Sequence, residues 1–302
     1  ASIPDPMELV RESRVLYTAW DQTRTMERVK ALESRIVPHD RSEKEVVRAA
    51  GMFVDAALVA GESVFSPGRR IWAEDVVAEL VQNFVGSTTT PGATFLEQLD
   101  VQLRPVSDDA KLLMAEMVAL HILPASTDAI GAHKKAERVN TVLRMMEHPV
   151  QLPQEIVAAF GHGAFNPGTR MSTNLGAAMT ILVNFAAAWT KAGTDAHELL
   201  LDDPWAFREF VNTVPGETFP SQRWALMFLV HPQTFVSIVS DTHKRQIRNQ
   251  FIGELADPSG DLDRDLRDIT LALQVKNGAP VNYYRSPLRE QWQEASGTGT
   301  SD

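Results

Sequence analysis

Apolar residues recur in this chain with the period of a helix almost from one end to the other. Val46, Val47, Ala50, Phe53, Val54, Ala57 and Leu58 form a wide stripe at spacings of three and four residues, and Val76, Val77, Leu80, Val81 and Phe84 repeat it. Such spacing lines up one face of an α-helix, whereas a half-buried strand needs strict alternation. No long alternating run bounded by turn residues occurs. The expected fold is therefore all-α: a multi-helical globular module with little or no sheet.

Capping residues mark the expected helix starts. Ser107-Asp108-Asp109 stand before Leu112, Leu113, Met117, Val118 and Leu120. Thr127-Asp128 are placed to open a helix that holds Val139, Val142, Leu143 and Met146. Ser172-Thr173 precede a run from Ala177 to Trp189 that is apolar on several faces, as a central buried helix would be. Asp203-Pro204-Trp205 puts Asp at the cap and Pro at the first helical position. Ser221 and Ser240-Asp241 are further caps, and Asp261 to Asp268 opens a last long helix.

Turns are expected at Phe65-Ser66-Pro67-Gly68, Thr90-Pro91-Gly92, Asn166-Pro167-Gly168 and Pro215-Gly216. The stretch Phe65 to Arg70 has a faint echo in Phe165 to Arg170, which reads as two similar turns. Gln151-Leu152-Pro153 interrupts the helical pattern, which sets an expected boundary between helical subdomains 1–150 and 151–293. Residues 294–302 read as a flexible, linker-like tail.

The balance of 29 Lys and Arg against 39 Asp and Glu gives a net charge of −10. This argues against broad, non-specific grip on nucleic acid, but leaves room for a local basic patch. There is no cysteine, hence no disulfide, thiolate metal site or cysteine nucleophile. No window is apolar enough to span a membrane, and Ala1 to Pro6 lacks the charged and apolar regions of a secretory signal. A cytoplasmic protein without a membrane partner is the expectation.

Catalytic motifs are missing. There is no phosphate-binding Gly-rich loop ending in Lys-Ser or Lys-Thr, no His-Glu-x-x-His and no Gly-x-Ser-x-Gly. Gly161-His162-Gly163 lacks both the third glycine and the preceding strand of a dinucleotide fingerprint, and reads as a turn. None of the eight histidines pairs with another three or four residues away, so no metal site and no cofactor is expected. His121 reads as a hydrogen-bonded core residue and His231 as a helix-end residue. Asp257, Asp261, Asp263 and Asp265 resemble part of a calcium loop, but Gly260 is misplaced and the closing Glu is absent.

The most suggestive polar cluster runs from Ser240 to Arg248. His243, Lys244 and Arg245 fall in the first turn of an expected helix, and Arg248 follows one turn later. Cations there oppose the helix dipole, so contact with DNA or another anion is one reading and a solvated, ion-paired face is the other. Arg69, Arg70 and Trp72 beside a Pro-Gly turn, and Tyr283-Tyr284-Arg285, suit base stacking or protein contact; buried packing is the alternative for Trp72.

The segment Asp202 to Phe210, then Arg223-Trp224-Ala225-Leu226, His231 to Phe235 and Ile238 to Ile247, resembles the amino-terminal region of bacterial McrB-like AAA+ proteins. Phe65 to Trp72 and Pro287 to Trp292 carry the resemblance further, across most of residues 45–293. It implies an amino-terminal fragment from a system of modification-dependent restriction and phage defence. It further implies an AAA+ motor domain in cis, a separate nuclease subunit, and target recognition, often of modified DNA. Three readings follow: a non-catalytic module that binds DNA, a protein-interaction or assembly module that binds a phage component or partner subunit, and a helical enzyme with a site assembled at long range.

Overall fold

The computed structural model describes residues 34–86, 92, 94–168, 171, 174–216 and 220–297. The start at Ala1 to Pro6, the Thr90-Pro91 part of one turn, Thr169-Arg170 of the echo, the Ser172-Thr173 cap and residues 298–302 of the tail lie outside them. The fold is all-α, and the described residues hold no strand beyond one isolated bridge, Ala125 with Phe165. None of their helices is long and apolar enough to cross a membrane.

Thirteen α-helices follow one another among the described residues: α1 Arg41–Phe53, α2 Glu74–Leu80, α3 Phe95–Leu103, α4 Asp108–Ile122, α5 Ala132–Leu143, α6 Gln154–Ala159, α7 Leu175–Lys191, α8 Thr194–Asp202, α9 Pro204–Thr213, α10 Pro220–Val230, α11 Asp241–Phe251, α12 Leu262–Asn277 and α13 Leu288–Gly297. Two are prolonged by wider π-helical turns, α1 by Val54–Val59 and α2 by Val81–Val85. In each, an N–H reaches five residues back, Ala60 to Asp55 and Gly86 to Val81, both at 3.1 Å.

Side-chain oxygens satisfy the first N–H groups of several helices, where no backbone partner exists. Ser107 Oγ accepts from Ala110 N, and Asp203 Oδ1 accepts from Trp205 N with Pro204 opening α9. Ser240 Oγ accepts from His243 N, and Asp261 Oδ1 accepts from Asp263 N and Arg264 N. Thr127-Asp128 does not open a helix. The chain turns through it, and α5 begins only after Gly131, without a side-chain cap. Ser221 lies inside α10 rather than before it.

The chain divides into two compact units, one of residues 38–246 and one in which 34–37 join 247–297; the division falls within α11. The boundary expected at Pro149–Pro153 falls inside the larger unit. There α6 packs on α1, and Ser126 N donates to Phe165 O at 2.8 Å across the expected break. The larger unit is built around α4, which packs against α5, α2 and α7 and is buried almost throughout from Ala110 to Ile122. The run ending at Trp189 is buried too, as α7, but α4 is buried on more of its circumference.

In the smaller unit, Leu266, Ile269 and Leu273 of α12 are buried, and Gly278 ends the helix in the left-handed region at φ 62°. Gln274 holds the 34–37 segment, donating to Arg35 O and accepting from Val37 N. Trp292 Nε1 donates to Tyr283 O at 2.7 Å.

Candidate functional site

The basic cluster expected on α11 is not one surface. Lys244, Ile247 and Phe251, three and four residues apart, form the buried stripe of the helix. Lys244 is only 1% exposed, and its Nζ lies 4.2 Å from the centroid of the Trp224 ring. Its placement against an aromatic face takes it away from any ligand in solvent. Arg245 is exposed and donates through Nε to Asp241 Oδ2 at 2.9 Å. His243 is half-buried, and burial lowers its pKa. Arg248 donates to Asp265 Oδ2 through both Nε and Nη2, at 2.8 and 2.6 Å. Asp265 is buried, and Ser259 donates to its other oxygen from both N and Oγ.

The second nominated group separates in the same way. Arg69 is ion-paired with Asp109 on α4, while Arg70 is exposed. Trp72 is buried, as is Tyr283, which shares a 2.8 Å hydrogen bond with Thr270. Arg285 remains exposed.

Besides Glu43 and Lys244, three ionisable side chains are buried in the larger unit, Glu116, His121 and Lys135, and of these three sequence reading singled out only His121. Its Nδ1 lies 2.6 Å from Gln222 Oε1, and burial pulls the imidazole down to about 4, so it is neutral. Glu116, on the same helix, accepts from Ser63 Oγ at 2.5 Å and Phe65 N at 2.9 Å, which pins the Phe65-Ser66-Pro67-Gly68 turn to α4. Burial outweighs these bonds and pushes its carboxyl up to about 7. Lys135 of α5 donates its three N–H bonds to Leu123 O, Ala125 O and His162 O at 3.1, 2.5 and 2.8 Å. These contacts join the end of α4 to the Gly161-His162-Gly163 turn. That turn needs glycine, because a Cβ at Gly163 would stand 2.4 Å from Ser126 Cα.

These buried groups hold helices together. Among the described residues no three His, Asp or Glu converge as metal ligands.

Among the described residues, α8 carries an unbalanced charge feature. Asp195, Glu198, Leu199 and Asp202 lie at i, i+3, i+4 and i+7, so they share one face, and all four are exposed. Leu199, 57% exposed, lies in the middle of three carboxylates that make no ion pair with any described residue. Like charges at this spacing repel, and Asp202 at the helix end also opposes the dipole. The opposite face is firmly held. Leu200 is buried, and His197 stacks on Trp189 at 4.3 Å between centroids, 2° from parallel. His231 Nε2 lies 2.9 Å from Leu200 O.

A scan against protein-family models, a search of curated proteins and a search of solved structures each return no match to this chain.

Proposed function

We propose that this chain is a non-catalytic interaction module that binds a basic protein surface through the outer face of α8. The observation that carries the reading is Leu199, exposed at the centre of Asp195, Glu198 and Asp202. An apolar anchor ringed by uncompensated charge has the anatomy of an interface, and its self-repulsion is relieved when a cationic partner binds. The face is also preorganised by the packing behind it, which lowers the ordering cost of association.

The resemblance to McrB-like amino-terminal regions supports placing the module in a cytoplasmic defence assembly. There an AAA+ motor in cis, a nuclease subunit or a phage component would be the partner. DNA binding is the second reading. It is favoured by exposed Arg70 and weakened by the pairing of Arg69, Arg245 and Arg248 and the burial of Lys244.

The test titrates the protein with a labelled Lys- and Arg-rich helical peptide carrying one apolar anchor, and with plain and base-modified duplexes, at low and physiological salt. The proposal expects peptide binding that Leu199→Ser abolishes although no charge changes. Salt-sensitive duplex binding lost in Arg70→Glu, with no peptide binding, would replace it by the DNA reading.

A further inference from the structure

Three stretches of the smaller unit line a cleft of ≈ 440 Å³: the end of α11 with the turn after it, the last turn of α12, and the segment from Ala279 into the first turn of α13. Helical spacing accounts for what the helices contribute. Leu273, Lys276 and Asn277 lie at i, i+3 and i+4 on α12, and Leu288 and Gln291 at i and i+3 on α13, so each set shares a face. Between them Gly278 turns the chain in the left-handed region, and Asn282 and Arg285 come to line the same cleft.

The walls are of two kinds. Phe251, Leu273, Pro287 and Leu288 supply apolar surface, and the first two are themselves buried. Asn277, Asn282 and Gln291 supply amides. Asn282 Oδ1 accepts from Tyr284 N at 2.9 Å, whereas its N–H groups and those of the Asn277 and Gln291 side chains donate to no described residue. The charges are unequal as well. Lys276 Nζ donates to Glu254 Oε1 at 2.6 Å, so these two answer each other. Arg285 is exposed, and its guanidinium makes no ion pair or hydrogen bond with any described residue. Helix α12 ends at the cleft and α13 begins there, so their dipoles act with opposite sign and the charge of the site rests on Arg285.

We propose that this cleft binds a small organic acid: Arg285 pairs with its carboxylate, and Phe251, Leu273 and Leu288 cover its apolar body. The volume falls within the roughly 300–1,000 Å³ of small-molecule sites, which combine apolar walls with a few convergent polar groups. A guanidinium presents two parallel N–H groups that match one carboxylate. A phosphate ester brings further negative charge, which no second unpaired cation in the cleft balances and Glu254 opposes. The site is independent of the α8 face, which belongs to the larger unit.

The test is saturation-transfer NMR of phenylacetate, isovalerate and N-acetyl-phenylalanine with the full chain, with the matching neutral amides as controls. We expect at least one acid to bind saturably and its amide to bind about tenfold more weakly or worse, the loss of one charge-assisted pair. Arg285→Gln, a change at an exposed side chain, should abolish the difference between acid and amide. Leu288→Ser should weaken both alike, and the side-chain amide resonances of Asn277, Asn282 and Gln291 should shift with the bound acid. Three results each overturn the proposal: no binding by any of the acids at millimolar concentration, acid binding that Arg285→Gln leaves unchanged, or tighter binding of phenyl phosphate than of phenylacetate.

Discussion

Lys244 Nζ lies over the ring of Trp224, 4.2 Å from its centroid, and the lysine is buried. Its charge is therefore part of the packing of the larger unit. Lys244→Met, which keeps the stem and loses the cation–π contact, should cost about 1 kcal/mol. Lys244→Glu leaves an uncompensated buried charge and should cost about 4 kcal/mol. Arg245→Glu breaks an exposed, solvent-screened pair and should cost the least of the three. Urea denaturation of the three variants checks the order, and equal losses at positions 244 and 245 would contradict it.

Glu116 and His121 titrate against each other. The carboxyl is raised from 4.5 to about 7, so between those values the folded state holds more protons and stability falls as pH rises. The imidazole is lowered from 6.5 to about 4, so between those values the unfolded state holds more protons and stability rises with pH. Each effect is worth roughly 3 kcal/mol over its range. From pH 4.5 to 6.5 they oppose each other, and the pair contributes little net slope. Glu116→Gln should unmask the histidine, giving stability that climbs with pH across this window. His121→Asn should unmask the carboxyl and reverse the slope. Denaturation midpoints at half-unit pH steps will show both; parallel profiles in all three proteins would refute this.

Lys135→Met should be among the most damaging single changes. It strips the donor from three carbonyls, those of Leu123, Ala125 and His162, and leaves them buried. A loss of about 3 kcal/mol or more follows from unmet acceptors alone. Hydrogen exchange should show the loss concentrated at the end of α4 and in the turn around Gly163.

Gly163→Ala should destabilise through backbone collision. The added Cβ would lie 2.6 Å from Ala125 O and 2.9 Å from Ala125 C, as well as against Ser126 Cα. No flexible side chain can move aside there, so a cost of about 3 kcal/mol or more is expected from thermal unfolding. Gly168→Ala meets no atom within 4 Å and should lose only what its left-handed φ of 66° demands, about 1 kcal/mol.

Much of the fold was legible in the sequence because it rests on local chemistry. Ser107, Asp203, Ser240 and Asp261 announce the helices they cap, and the period of the apolar residues carries the all-α class. Thr127-Asp128 misled because capping residues also favour turns; only the tertiary packing selects Gly131 as the start of α5. The site residues were harder to read. Lys135 with Val139 and Val142, and Lys244 with Ile247 and Phe251, occupy buried stripe positions. A cation at such a position is a signal of an interior role, yet its charge alone reads as surface. The outer face of α8 was within reach of the same spacing rule, since Asp195, Glu198, Leu199 and Asp202 repeat it with polarity reversed. What the sequence could not supply is which acids lack a counter-ion, because Asp109 and Asp265 are matched by arginines distant along the chain.

The widened turns at Val54–Val59 and Val81–Val85 bear on how this chain changes length over evolution. A π turn accommodates one more residue than an α turn, so it absorbs a residue that in an α-helix would rotate everything downstream by about 100°. Deleting a single residue from Val54–Val59 would restore an ordinary helix and leave the loop bearing Arg69 and Arg70 close to its present heading. Each widened turn thus behaves as a stored insertion, and a relative lacking it would still present the following loop in nearly the same direction.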